Sequence, residues 1–146
     1  MGELIAVSPL PLSPAMQNYL EEILNLSSKH DTVRVTDIAE RLNLSKASVS
    51  QALSQLREQG LVIQDRYGPV ELTERGRYYG RVVKRRHEVL RSFLTEVLKL
   101  DHKTAEEDAC RMEHAVSSET IERLVSFLIR GGYCSDFNDV EEFKDE

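Results

Sequence analysis

The 146-residue chain carries 30% charged and 6% aromatic side chains, no Trp and a net charge of −6, the composition of a helix-rich globular protein with one core or two small ones. No apolar run approaches the ~18 residues of a membrane span, and Met1–Pro14 has neither the basic start nor the apolar stretch of a secretory leader. Two cysteines, Cys110 and Cys134, are too few for a disulfide framework, so a cytoplasmic protein with reduced thiols and no membrane partner is expected.

The acidic total conceals a polarity. Residues 34–91 hold 12 Lys/Arg against 7 Asp/Glu, a local +5, while the remainder carries −11. A basic middle between acidic flanks presents one face fit for phosphates, although uneven charge alone is also what a plain solvated surface shows.

Ser13-Pro14 reads as an N-cap followed by a first helical position. Met16, Tyr19, Leu20, Ile23 and Leu24 recur at helical spacing, which predicts a helix over 14–28. Thr36-Asp37 is expected to cap a short second helix through Ile38, Ala39 and Leu42, with Asn43-Leu44 as the turn. Ser45 then caps a third helix that stops at Gly60 in the C′ position. Val49, Ala52, Leu53 and Leu56 form its apolar stripe; Ala47, Ser50, Gln51 and Ser54 face away, with Ser48 and Gln55 on the flanks. That outward face is small and polar, as close entry into a major groove requires, and two helices joined by a short turn in this way form a helix-turn-helix.

Leu61-Val62-Ile63 and Val70-Glu71-Leu72 flank Gly68-Pro69 and read as a β-hairpin, placed where a winged helix has its wing, with Arg66 at the tip. A long helix is predicted over 74–99, lined by Tyr79, Val82, Val83, Leu90, Phe93, Leu94 and Val97 and made basic by Arg77, Arg81, Lys84, Arg85, Arg86 and Arg91. Thr104-Ala105-Glu106-Glu107 reads as a capping box that opens a further helix. Ser117 or Ser118 caps a last helix carrying Ile121, Leu124, Val125, Leu128 and Ile129, which stops at Gly131-Gly132, and the tail from Ser135 is acidic. The expected fold class is mainly α: a winged helix-turn-helix with a small hairpin wing over residues 1–76, then an all-helical domain over 77–146.

Cys110-Arg111-Met112-Glu113-His114 is the segment with chemistry. At ~100° per residue, Cys110, Glu113 and His114 share one helix face and offer a thiolate, a carboxylate and an imidazole. Those donors suit a divalent transition metal. Cysteine is also often a small buried hydrophobe, and Glu-His pairs occur on ordinary surfaces, so the triplet alone leaves both readings open. His87 sits in the apolar stripe near Val83, Leu90 and Leu94, and packing of the long helix against the Cys110 helix would bring it to the same place; otherwise it is a satisfied core histidine. Asn18 and Glu21, one turn apart on the first helix, add oxygen donors beside its apolar face.

Together, Asp37-Ile38-Ala39-Glu40-Arg41-Leu42, Ser45 through Gln51, Asp65 to Gly76, Lys84-Arg85-Arg86-His87 and Asp108-Ala109-Cys110-Arg111-Met112-Glu113-His114 resemble the diphtheria-toxin-repressor family of iron- and manganese-dependent repressors, over roughly residues 13–130. The resemblance implies a cytoplasmic homodimer that binds double-stranded operator DNA and a helical second domain that dimerises and holds metal. It also implies the short two-domain form without an SH3-like third domain. Carried across by position, Cys110, Glu113, His114 and His87 are metal ligands, Glu21 matches a carboxylate ligand of the manganese branch, and Asn18 falls where relatives have Met or Asp. Glu106 falls near an ancillary ligand, while Arg91 replaces an ancillary Glu and weakens the case for a second ion.

The mechanism expected is metal-activated repression of iron or manganese homeostasis genes. Ligands from separate helices close on one ion and fix the winged helix against the dimer core, which sets two recognition helices ~34 Å apart. Ala47 then touches a thymine methyl, Ser50 and Gln51 read base edges with Ser48 beside them on the DNA-binding face, and Lys46, Arg66 and the basic start of the long helix bind backbone. Cys110 tilts the site toward Fe(II), short length and Glu21 toward Mn(II), and Co(II), Ni(II) or Zn(II) are expected to bind in vitro. Two other classes stay open: a winged-helix repressor that senses thiol oxidation or an organic ligand, and a metallohydrolase. Against the enzyme, there is no HExxH helix, phosphate loop or Gly-x-Ser-x-Gly elbow; no small organic substrate is expected.

Overall fold

The computed structural model describes residues 12–66 and 68–133. Cys134, the acidic tail and the segment tested above for a leader lie outside the described residues, apart from the latter's last three positions. The chain divides into two compact units between Arg81 and Val82.

The first unit begins with α1 (Pro14–Lys29), capped by the Ser13 hydroxyl, which accepts from the Met16 N–H at 3.2 Å. Met16, Tyr19, Leu20 and Ile23 bury its inner face. The second helix, α2 (Val35–Leu42), starts before the expected Thr36 cap: Asp37 stands at the third helical position and its carboxylate reaches back to accept from the Arg34 N–H at 2.9 Å. A carboxylate there satisfies an end N–H as well as one at the cap itself. Asn43 ends α2 in the left-handed region at φ 56, which a short amide side chain tolerates.

Ser45 caps α3 (Lys46–Glu58) by accepting from the Ser48 N–H at 3.1 Å, and Gly60 at φ +72 stops it. Val49, Leu53 and Leu56 are fully buried on its inner side; burial of each stabilises the unit by about 2 kcal/mol. The opposite side of α3 remains exposed. Strands β1 (Val62–Gln64) and β2 (Val70–Leu72) pair antiparallel in the register Val62↔Leu72, Ile63↔Glu71, Gln64↔Val70, and Val33 bridges Val70 on the other edge.

Next comes α4 (Glu74–Ser92), which continues across the division at Arg81. Its first turn lies so close to β1 that a Cβ on Gly76 would stand 2.0 Å from the Leu61 carbonyl oxygen.

In the second unit the helical path predicted to Lys99 changes character. Regular α geometry ends at Ser92, a π-helical turn follows over Phe93–Val97, and Lys99 at φ 59 terminates the segment. The Thr95 hydroxyl donates back to the Arg91 carbonyl at 2.9 Å, the kind of bond that distorts a helix. Helix α5 (His102–Met112) starts ahead of the expected Thr104 box, because Asp101, as good an N-cap type as Thr, takes the extended cap position. Ser117, not Ser118, caps α6 (Ser118–Arg130), accepting from the Thr120 N–H at 3.2 Å. Val89, Leu90, Leu94, Ala105, Ala109, Ile121 and Leu128 form this unit's core. The architecture is the expected one: helices and a hairpin, then helices alone. Among the described residues no helix is long and apolar enough to cross a membrane.

Candidate metal centre and DNA-reading face

Val89 and Leu90 of α4 and Leu94 of the π-helical turn share one buried cluster with Ala105 and Ala109 of α5, and that turn packs against α5. His87, Cys110 and Glu113 then place one ligand atom each within 4.8 Å of one another. His87 and Glu113 are buried while Cys110 is exposed. The imidazole is held from both sides: Nδ1 is 2.8 Å from Glu113 Oε2 and Nε2 is 2.8 Å from Glu106 Oε1. Burial pulls its pKa down, but the hydrogen bonds and charges of Glu113 and Glu106 outweigh it and raise the value to about 9. Both ring nitrogens therefore carry protons and donate to the carboxylates at neutral pH.

Glu106, expected near an ancillary ligand, lies instead against His87. Its side chain turns to His87, and Arg91 lies 3.7 Å from its Oε2. That oxygen is buried with no hydrogen-bond partner, an acceptor positioned for a cation. Imidazole, thiolate and carboxylate together are the donor set of a divalent transition-metal site, and the orphaned oxygen adds a further anionic donor. The residues fit such an ion.

His114 departs from the shared-face expectation. α5 ends at Met112 and Glu113 is its C-cap, so the i, i+4 rule no longer governs residue 114. Its Nε2 faces Glu113 Oε1 at 3.2 Å, but it is not among the three residues that converge. Burial first, then the Arg86 and His87 charges, lower its pKa against the opposing pull of Glu113. In the first unit, Glu21 is buried on α1 whereas Asn18 is exposed, so the pair does not share the apolar face expected of it.

The exposed side of α3 carries Lys46, Ala47, Ser48, Ser50 and Gln51 in one solvent-facing set. Arg34, Lys46, Arg57 and Arg66 line a groove of roughly 520 Å³ between this helix and the hairpin, with Ser50 and Gln64 on its wall. Arg57 donates to Gln64 Oε1 at 2.9 Å, and the Gln64 amide donates onward to the Gly68 carbonyl at 3.2 Å. Arg34 and Arg57 escaped the sequence reading because they lie outside the recognition helix's outward stripe.

Residues 11–70 match the iron dependent repressor N-terminal DNA binding domain, and residues 73–138 match the iron dependent repressor metal binding and dimerisation domain. An HTH-type transcriptional regulator of Methanocaldococcus jannaschii is 35% identical over 80% of this chain and 94% of its own length. The chain belongs to the iron-dependent repressor family. Members of this family are metal-dependent, DNA-binding transcriptional regulators rather than enzymes. The diphtheria toxin repressor of Corynebacterium diphtheriae is 34% identical over 75% of the chain, which spans 49% of that relative. The manganese regulator SloR superposes with a TM-score of 0.72 at 29% identity, over 84% of this chain and 56% of its own.

Proposed function

We propose that this chain is a metal-activated repressor that binds operator DNA as a homodimer and controls iron or manganese homeostasis genes in the cytoplasm. The convergence of His87, Cys110 and Glu113 within 4.8 Å carries this reading. His87, Cys110, Glu113 and Glu106 hold the ion, and His114 joins through the turn after α5. Glu21 and Asn18 are ligand candidates on the family resemblance alone. A bound divalent ion supplies positive charge and directed bonds among these donors. His87 contributes a lone pair only from a nitrogen that has released its proton, and Cys110 contributes as the thiolate. Cys110 favours Fe(II) over Mn(II), since sulfur is the softer donor.

On the reading side, Ala47, Ser48, Ser50 and Gln51 meet base edges, and Lys46 and Arg66 hold backbone phosphates. Residues 1–76 serve as the DNA-binding domain and 77–146 as the metal-binding and dimerisation domain. The second copy docks on the apolar face of Phe93, Val97, Leu124 and Phe127, a groove of roughly 620 Å³ with Phe127 49% exposed.

The test is a DNA mobility shift on the chain's own promoter with chelator, then with Fe(II), Mn(II), Co(II) and Zn(II). Retention restored by metal in the parent and lost in His87→Ala is the expected result. Equal retention in every lane would refute metal control. Turnover of a simple ester or phosphate by the metal-loaded protein would favour an enzyme instead.

A further inference from the structure

Arg86 counts among the basic residues of the long helix, yet it is 6% exposed. Its Nε–H donates to the Glu113 carbonyl at 2.8 Å, and a second guanidinium nitrogen donates to the Val116 carbonyl. Carbonyls at the end of a helix have no partner within it, so the arginine supplies what α5 lacks where the chain leaves it. Burial holds the guanidinium below its ordinary pKa, with Glu113's negative charge opposing. An arginine kept in such surroundings is costly where an apolar side chain of similar length would fill the space. The cost is offset only if the bonds it makes matter.

What they fix is specific. Residues 86 and 87 are adjacent on α4, and both engage Glu113: His87 holds its carboxylate and Arg86 its main chain. The segment from Glu113 to Val116 also carries His114, whose ring lies beside the Glu113 carboxylate. The Glu113 N–H still donates to the Ala109 carbonyl at 3.0 Å, but regular helix ends there, and the chain runs on to Val116 as a turn.

We propose that Arg86 is the positioning residue of the metal centre, fixing the Glu113–Val116 segment so that the Glu113 carboxylate and His114 imidazole are presented beside His87. It touches no ion and acts through the backbone of its neighbours. The inference rests on the metal-binding reading above. A lysine keeps the charge but cannot span two carbonyls with a planar fork, whereas methionine keeps the length and removes every donor.

The experiment titrates the chelator-treated parent, Arg86→Lys and Arg86→Met chains with Co(II), followed by visible absorption, with thermal melts in chelator alongside. The parent is expected to show ligand-field bands together with a thiolate charge-transfer band that Cys110→Ala abolishes. Arg86→Met should bind at least tenfold more weakly with altered band intensities at saturation, and Arg86→Lys should fall between the two. Parental midpoints and band shapes in both variants would overturn the proposal. So would weaker binding that tracks lowered melting while the saturated spectrum stays parental, since that describes a fold staple. If Arg86→Met fails to fold, Arg86→Lys decides by the same criteria. A parent without Co(II) bands overturns the metal-binding reading, and this inference with it, which differs plainly from equal bands in all chains.

Discussion

Replacing Gly76 with alanine tests the contact that seats the start of α4 on the hairpin. The new Cβ would stand 2.0 Å from the Leu61 oxygen, 3.0 Å from its carbonyl carbon and 3.3 Å from Leu72 Cδ2. The obstruction is mostly main chain, so no rotamer change relieves it, and the gap must open by more than an ångström. The same oxygen accepts from the Thr73 N–H at 3.1 Å, so a shift sufficient for the methyl also strains that bond. Overpacking at about 1–3 kcal/mol plus a hydrogen bond at about 1 kcal/mol gives a loss of roughly 2–4 kcal/mol. Gly60→Ala is the control: at φ +72 with nothing within 4 Å, it carries only the left-handed backbone cost of about 1–2 kcal/mol. Urea unfolding in chelator, followed by circular dichroism and extrapolated to water, separates the two. Gly76→Ala within about 0.5 kcal/mol of the parent, or milder than Gly60→Ala, would refute the argument from close approach.

Three further outcomes follow from the two sites. In chelator, His87 is held charged, with a folded pKa of about 9 against an ordinary 6.5; its stabilisation, at most about 3 kcal/mol, is complete below pH 6.5 and vanishes as the pH rises through 9. Thermal melts of the parent should show that decline and His87→Gln should not, so parallel curves would exclude it. Cys110→Asp is expected to retain partial metal-dependent DNA binding with a preference moved from Fe(II) toward Mn(II); complete loss of metal response points to a thiol sensor. Lys46→Ala and Arg57→Ala should each weaken binding about equally across DNA sequences and lower the salt slope by about one, and an unchanged slope removes that residue from the phosphate contacts.

The hairpin and the helices of both units were legible because their signals are local. Ser13, Ser45 and Ser117 cap what they precede, Gly60 stops α3, and the stripe of Val49, Leu53 and Leu56 predicts its own burial. Errors arose where two residues competed for one local role. Asp101 takes the cap position expected of Thr104, and Asp37 acts from inside α2 rather than ahead of it. The ligand helix was visible as a spacing, but the spacing assumed a helix through His114, and α5 stops at Met112. Arg86 was the most consequential miss. It falls one turn after Val82 and just ahead of Val89 and Leu90, all buried, so its position in the apolar stripe was readable; its charge masked it.

Of the three converging residues, His87 and Glu113 are buried and Cys110 is exposed. The doorway of the centre is therefore also its most easily labelled residue. An alkylating reagent can knock there without unfolding anything, and the speed of the answer reports whether the room behind is taken.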